Sequence, residues 1–254
     1  MRNYIAFTKK ELLESVRTYK LLIMLIVFFV FGIMSPLAAK MMPEILKTAM
    51  PEGMTVTLPV PAAIDSWAQF FKNVSQMGLI VLMIVFSGVL GTELSKGTLI
   101  NLLTKGLGRS TVILSKFTGM AIIWTISYAA AFIVTLGYTV YLFPNEGVSN
   151  LLFSVFCLWL FGVFLLSVLI FASALVKSNY GALLISGAVI VALMICNITP
   201  DLHSYNPFSL ASDNVALLTK AVEASSLSYA AVISIICSVI LIIASILVFR
   251  KRQL

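Results

Sequence analysis

The chain has 254 residues, of which 60% are hydrophobic and 11% are charged, and its formal net charge at pH 7 is +7. Soluble domains carry about 25% charged residues. This composition, with a mean hydropathy of +1.06, excludes a soluble globular protein and predicts a membrane protein. The basic balance comes with no basic and aromatic patch and no nucleic-acid-binding motif, so we expect no nucleic acid among its partners.

The first 20 residues are predicted to form an amphipathic helix in the membrane interface. Thr8 and Glu11 have the spacing of a capping box, which predicts a helix start at Thr8. At 100° per residue, the apolar side chains fall on one face and the charged ones on the other: Ile5, Leu12, Val16 and Tyr19 against Lys10, Glu11, Glu14 and Arg17. The alternative interpretation is that this segment is only the polar start of a longer first span.

Six stretches without Asp, Glu, Lys or Arg are long enough to cross a bilayer, which takes about 17 to 25 helical residues. In lipid every backbone N–H and C=O group must be paired within the protein, and the alternating pattern of a barrel strand is absent, so the spans are predicted to be helices. The sequence therefore predicts an all-α, polytopic membrane protein with one membrane domain over residues 1–254. The predicted spans are 21–39, 73–92, 117–142, 151–176, 178–197 and 229–249.

The distribution of basic residues predicts the orientation of these spans. Six spans put both termini on one side, and the segments on that side hold 13 of the 17 Lys and Arg residues. Their formal net charge is +10, against −3 for the segments on the other side. Because basic residues accumulate in cytoplasmic segments, we expect the N- and C-termini inside and the protein in the cell membrane.

The outer segments are predicted to be irregular, because all eight prolines fall in them or near the outer ends of spans. The first outer loop covers residues 40–72 and ends in SWAQFFKN, whose aromatic side chains suit the membrane interface. The last one, 197–228, has apolar residues at helical spacing and is predicted to lie on the outer leaflet or dip into it.

The cytoplasmic loop between the second and third spans, residues 93–116, is unusually polar for this chain. Glu93 follows a long apolar helix, where a carboxylate is unfavourable, so we expect the chain to turn there. After Gly97, the run TLINLLTK predicts a helix of about two turns with leucines on one side, ended by Gly106 and Gly108. Lys116 is predicted to lie at snorkelling depth in the third span. The leucine face is Leu99, Leu102 and Leu103.

Two uses fit such a helix on composition alone. It can rest on anionic lipid as a positively charged loop, or it can dock a soluble partner by entering a groove with its apolar side. These alternatives stay open at this point.

Catalytic and metal-binding motifs are missing from the sequence. The six spans hold none of the four charged residue types, His203 is the single histidine, and no H-E-x-x-H, CxxC or G-x-S-x-G pattern occurs. The phosphate-binding pattern G-x-x-x-x-G-K-[ST] is also absent. We therefore expect no catalytic residue, no metal ligand and no cofactor bound by this chain.

The loop resembles a known family. The pattern E-L-S-K-G-T-L-x-x-L-L-T-x-x-x-x-R-x-x-x-I-L-S-K, from Glu93 to Lys116, is similar to the first cytoplasmic loop of the permease subunits of type-2 ABC exporters. The predicted N-terminal helix, the six spans and the long outer segment before the last span extend the resemblance over the chain.

The resemblance implies a partner and a mechanism. In that family two membrane subunits, identical or paralogous, pair and dock on two copies of an ATP-binding subunit, which binds ATP and Mg²⁺. The resemblance implies that closure of the ATPases on ATP binding moves this loop. It also implies that Arg109 pairs with acidic groups on the ATPase and that Glu93 is a hinge and interface residue. The ATPase-coupling residues would be Glu93, Lys96, Gly97, Thr98, Leu102, Leu103 and Arg109. Residues 197–228, with Pro207 and Phe208, would form the outer gate.

The sequence therefore favours a permease subunit of an ATP-driven exporter that has no ATP site of its own. Spans without charge favour an amphiphilic or hydrophobic substrate, such as a peptide, a drug or a lipid-like molecule. The alternative function is a membrane anchor or assembly partner that recruits a soluble ATPase or another cytoplasmic protein without transporting anything.

Overall fold

The computed structural model describes residues 2–49, 60–95, 97–104, 106–144, 147–176 and 178–251, and within those ranges the chain is helical and has no strand. Six helical segments there are long and apolar enough to cross a membrane, which confirms the predicted all-α fold with six spans. They are Lys20–Ile45, Ala63–Leu94, Arg109–Leu142, Leu151–Leu175, Asn179–Cys196 and Ala224–Lys251.

Thirteen α-helices and one π-helical turn make up the described ranges. The first half holds α1 Arg2–Arg17, α2 Lys20–Ala49, α3 Ala63–Asn73, the π-helical turn Val74–Gly78, α4 Leu79–Phe86, α5 Gly91–Ser95, α6 Thr98–Thr104 and α7 Arg109–Leu142. The second half holds α8 Leu151–Leu175, α9 Asn179–Cys196, α10 Pro200–His203, α11 Ser209–Ser212, α12 Asn214–Leu218 and α13 Ala224–Lys251.

The fourth span, α8, lies at the centre of the fold. It packs against α7, α9 and α13, and the short helices α11 and α12 cover it at one end. It is buried over most of its length, whereas the fifth span, α9, is exposed over most of its length. An exposed apolar face is ordinary in lipid, because lipid tails are as apolar as the side chains they meet.

The first span contains two prolines and is nevertheless a continuous helix. Pro36 has no N–H to offer the carbonyl of Gly32, one turn earlier. The buried hydroxyl of Thr135 on α7 reaches that carbonyl at 3.2 Å and shares its proton with the carbonyl of Ala131, at 2.9 Å. Gly32 lets the two helices come this close, since a Cβ there would lie 2.9 Å from the carbonyl oxygen of Ala131. A neighbouring helix thus satisfies the group that Pro36 leaves unpaired.

The predicted first outer loop, 40–72, is largely helical where the structure describes it. Helix α2 continues through Pro43 to Ala49, and α3 begins at Ala63, well before the predicted span start at 73. The aromatic side chains predicted for the membrane interface are buried instead, because Trp67 and Phe70 pack against aromatic rings of α7. The prediction of an irregular loop was therefore wrong at both of its ends.

Helix α1 exists as predicted, but its start and its orientation differ. It already includes Arg2, so Thr8 and Glu11 lie inside the helix and form no capping box. The side chains turned towards the protein are Phe7, Thr8 and Glu11, which pack on α7, while Ile5 and Val16 are exposed. Of the predicted apolar face, Ile5, Val16 and Tyr19 are exposed and Leu12 packs on the core, while the protein-facing side buries a carboxylate.

We predict that Thr135→Val destabilises the protein by about 1–2 kcal/mol, because the carbonyl of Gly32 loses the hydroxyl that bonds it where Pro36 has no N–H. Pro36→Ala restores the N–H, so the double variant should lose less than Thr135→Val alone. Reversible unfolding by SDS in mixed micelles measures all three. If Thr135→Val lowers the free energy of unfolding equally in the presence of Pro36 and of Pro36→Ala, the Thr135 hydroxyl does not replace the missing N–H as the donor to the Gly32 carbonyl.

Candidate functional site in the loop between the second and third spans

The long helix of the second span is interrupted just before Glu93. Helix α4 ends at Phe86, residues 87–90 form turns, and Glu93 lies in the first turn of α5. The predicted turn is therefore present, and the carboxylate lies near the start of a helix, where it is favourable. A further turn follows at Gly97, whose φ of +68° favours glycine.

Two of the three leucines predicted for the apolar face of α6 lie against the protein. Leu99 is fully buried and Leu103 packs on the core, whereas Thr98 is exposed and its hydroxyl donates to the carbonyl oxygen of Glu93. The chain's own core therefore covers these two leucines, and docking of a soluble partner by α6 stays a prediction. Lys96 and the side chain of Leu102 lie outside the part of the chain that the structure describes.

An ion-pair cluster lies behind this loop. Lys116 of α7 is only 2% exposed, and its Nζ donates to both oxygens of Glu11 on α1, at 3.1 and 3.0 Å. The same Nζ lies 2.9 Å from Oε2 of Glu93, an ion pair without hydrogen-bond alignment. Lys116 therefore does not snorkel to the surface as predicted, because two buried carboxylates hold it inside.

Lys10 of α1 completes the cluster from the more exposed side. Its Nζ donates to Oε1 of Glu93 at 2.6 Å and pairs with Glu14 at 2.5 Å. Burial alone would lower the pKa of Lys10, but the hydrogen bonds to Glu14 and Glu93 and the charge of Glu11 outweigh it and raise the pKa above its usual value. Lys10 is therefore a cation at neutral pH.

The three carboxylates of this cluster are close enough together to suggest a metal site. One oxygen from each of Glu11, Glu14 and Glu93 lies within 4.8 Å of the others. However, the ammonium groups of Lys10 and Lys116 lie among them and compensate their charge, and the ring of Phe7 lies within 6.0 Å of both. The arrangement is an ion-pair network that ties α1 to α5 and α7.

Arg109, at the start of the third span, binds the last span. Its Nη1 donates to the carbonyl oxygens of Phe249 and Arg250, at 3.0 and 2.7 Å. These carbonyls belong to the last described turn of α13, and carbonyls at the C-terminal end of a helix carry a partial negative charge. The structure thus directs Arg109 to its own chain, and its predicted pairing with acidic groups of an ATPase is untested.

The whole chain matches a protein family described as "ABC-2 family transporter protein", over residues 5–254. The chain belongs to this ABC-2 transporter family. It is also 22% identical over 259 residues to a protein of Bacillus subtilis (strain 168) printed as "Uncharacterized transmembrane protein YxlG", covering 100% of this chain and 99% of that relative. The family supports a membrane permease, as the resemblance of the loop had implied.

At the other end of this ABC-2 transporter chain, the predicted gate residues lie in a segment of short helices. Pro207 is buried, and the ring of Phe208 packs edge-on against Phe161 of α8, with centroids 5.9 Å apart. The buried side chain of Asn206 donates to the carbonyl of Leu193 at 2.7 Å and accepts from the N–H of Phe208 at 3.0 Å. Asn206 thereby fixes this segment to the fifth span.

Sequence reasoning missed the roles of Lys10, Glu11 and Asn206. For Lys10 and Glu11 a signal existed in the sequence. These two adjacent residues of opposite charge precede the apolar first span, and Lys116 adds a further charge at the start of the third span. For Asn206 the signal was the Asn-Pro pair itself, which is a common turn initiator. Neither signal says which distant group the side chain contacts.

We predict that Lys116→Ala lowers the free energy of unfolding by about 3–5 kcal/mol, because it leaves the buried carboxylate of Glu11 without its ammonium partner. Lys9→Ala, at an exposed neighbouring lysine, should change it by less than about 0.5 kcal/mol. Unfolding by SDS provides both values. The double variant Glu11→Gln/Lys116→Met should lose less than the sum of the single losses; additive losses would contradict the ion pair.

Proposed function

We propose that this chain is the membrane permease subunit of an ATP-driven exporter and that it receives the work of a separate ATPase through residues 93–116. The observation that carries the proposal is the buried cluster of Glu93, Lys116, Glu11 and Lys10. It fixes the loop to the N-terminal helix and to the third span at the same point. A push on the loop is therefore delivered to two helices together.

The cluster suits this task because its bonds are stiff. Charge-assisted hydrogen bonds are shorter and stronger than neutral ones, and breaking a buried pair is costly. The loop also turns at two glycines with positive φ, Gly97 between α5 and α6, at +68°, and Gly106 after α6, at +90°. In this proposal Thr98 and the neighbouring exposed side of α6 meet the ATPase, while Glu93 acts from inside as a positioning residue.

The ATP and Mg²⁺ used by the transporter belong, in this proposal, to the partner ATPase, of which two copies bind a pair of membrane subunits. The family membership and the absence of the phosphate-binding pattern from this sequence support it. The second membrane subunit, identical or paralogous, would cover part of the apolar surface that α9 leaves exposed. The cargo would pass along this surface out of the cytoplasm.

We predict that Glu93→Gln and Gly97→Pro each lower cargo-stimulated ATP hydrolysis of the reconstituted complex by about tenfold, because the loop loses its fixed position. Glu223→Gln, at an exposed residue of the outer segment, serves as the control. Membrane insertion should be intact in all three variants. Unchanged stimulation in both loop variants would show that the loop does not carry the coupling.

A photo-cross-linking amino acid at Thr98 tests the docking surface separately. It should cross-link to the ATPase, whereas the same residue at Leu152, which is exposed at the opposite end of the fourth span, should not. Cross-links from Leu152 alone would place the ATPase at the wrong end of the bundle for this proposal.

We also predict that both termini are cytoplasmic, because the basic residues accumulate on their side. Alkaline phosphatase fused after Leu254 should be inactive, and the same enzyme fused after Val148, between the third and fourth spans, should be active. Fusions to green fluorescent protein should give the opposite pattern. An active C-terminal phosphatase fusion would show that the termini lie outside. Residues 93–116 would then face away from the cytoplasm, where the ATPase could not bind them.

A further inference from the structure

The interruption of the second span at residues 87–90 has the hydrogen bonding of a hinge. The N–H groups of Ser87 and Val89 donate to carbonyls three residues earlier, at 3.3 and 3.1 Å. Bonds of this 3₁₀ type in the middle of a helix often mark a functional hinge. The interruption separates α4, which packs on the central helix α8, from α5, whose Glu93 is held by the ion-pair cluster.

Asn179, the first residue of the fifth span α9, reaches the cluster side of this hinge. Its Nδ2 donates to Oγ1 of Thr92 on α5, at 3.3 Å. Thr92 directly precedes Glu93 in the chain. The start of the fifth span is therefore bonded to the short helix that the ion-pair cluster holds.

Gly88 provides the room in which these two side chains meet. A Cβ at this position would lie 2.6 Å from Oγ1 of Thr92 and 3.0 Å from Nδ2 of Asn179. The φ of Gly88 is outside the left-handed region, so an alanine there would cause no backbone strain. Its methyl group would instead displace the ends of the two side chains and separate donor from acceptor.

The fifth span has little other packing to hold its start in place. It packs mainly on α8 and is exposed over most of its length. The connection from α8 is extended at Val176 and at Ser178. At the other end of the span, Asn206 donates to the carbonyl of Leu193. An amide side chain thus ties the span at each end, and its start is free to move when the bond to Thr92 is lost.

We propose that Asn179 is a positioning residue for coupling: its bond to Thr92 makes the start of the fifth span follow α5 when α5 moves about residues 87–90. This inference rests on the coupling function proposed above and adds the route by which a push on residues 93–116 reaches the fifth span. A neutral hydrogen bond is weaker than the charge-assisted bonds of the cluster. Loss of the bond therefore releases the fifth span and leaves the cluster intact.

The tie is tested first in the full chain alone, in nanodiscs of phosphatidylcholine. Cys157, Cys196 and Cys237 are replaced by Ala, and nitroxide labels are attached at two exposed positions, Leu13→Cys on α1 and Tyr180→Cys on α9. Double electron–electron resonance then measures the distribution of distances between the cluster side and the start of the fifth span.

Three substitutions remove the bond in different ways: Asn179→Leu, Thr92→Val and Gly88→Ala. Each should raise the fraction of long-distance conformers about fivefold, as expected for the loss of one neutral hydrogen bond. Thr92→Ser keeps the hydroxyl and should keep the original distribution. Gly137→Ala is the control for Gly88→Ala, since it adds the same methyl group where no neighbouring atom beyond its own helix lies within 4 Å.

The coupling step is tested in the reconstituted complex with the ATPase. The labels are then at Tyr180 and at Tyr141, an exposed residue near the end of the third span. Addition of AMP-PNP, an ATP analogue that is not hydrolysed, should change the distance between them. Asn179→Leu should remove this change, and Thr92→Ser should retain it.

The two measurements separate failure of the tie from failure of coupling. If all three bond-removing variants have the original distance distribution in the chain alone, the tie is overturned, whatever the ATPase does. If Asn179→Leu responds to AMP-PNP as fully as the unmodified residue does, the route through this bond is overturned. If no protein responds although the tie is present, the coupling function itself fails, and the route fails with it.

Discussion

The ion pairs of the buried Lys116 hold together the end of the fold that carries residues 93–116. An ammonium group cannot be buried beside lipid unless carboxylates compensate it, and here the carboxylates come from α1 and from α5. These pairs fix which side of α1 faces the protein and keep the side chain of Glu93 in the protein interior. A charge that composition alone places near the surface thus organises three helices.

The two ends of the bundle are built on different chemistry. At the end that carries residues 93–116, charges neutralise one another in a stiff ion-pair network. At the other end, neutral amides such as Asn206 fix short helices over apolar spans, and two buried amide oxygens, Oδ1 of Asn197 and Oδ1 of Asn214, have no hydrogen-bond partner among the described residues. Stiff ionic contacts suit the transmission of force, whereas neutral hydrogen bonds are weaker and rearrange more easily. The division agrees with a transporter that receives work at one end and opens at the other.

The number of spans, the all-α fold and the family could be predicted from the sequence, because runs without charge and the pattern around Glu93 are local signals. The contacts of the site could not. Lys10 and Glu93 are 83 positions apart, and Glu11 and Lys116 are 105 apart, and no periodicity connects residues over such distances. The ends of the second span were misplaced for a related reason: Trp67 and Phe70 have the composition of an interface belt, and only the packing partner on α7 shows that they are buried.

The order of the charges along the chain has a consequence for biogenesis. Glu11 and Glu93 are both synthesised before Lys116, so when the third span leaves the ribosome its lysine meets two carboxylates that are already present. Thr135 is likewise synthesised after Pro36, so the carbonyl of Gly32 in the first span gains its hydrogen bond from the Thr135 hydroxyl only when the third span has been made. The third span therefore completes the packing of the N-terminal half: until it inserts, the carboxylate of Glu11 and the carbonyl of Gly32 lack the partners that α7 provides.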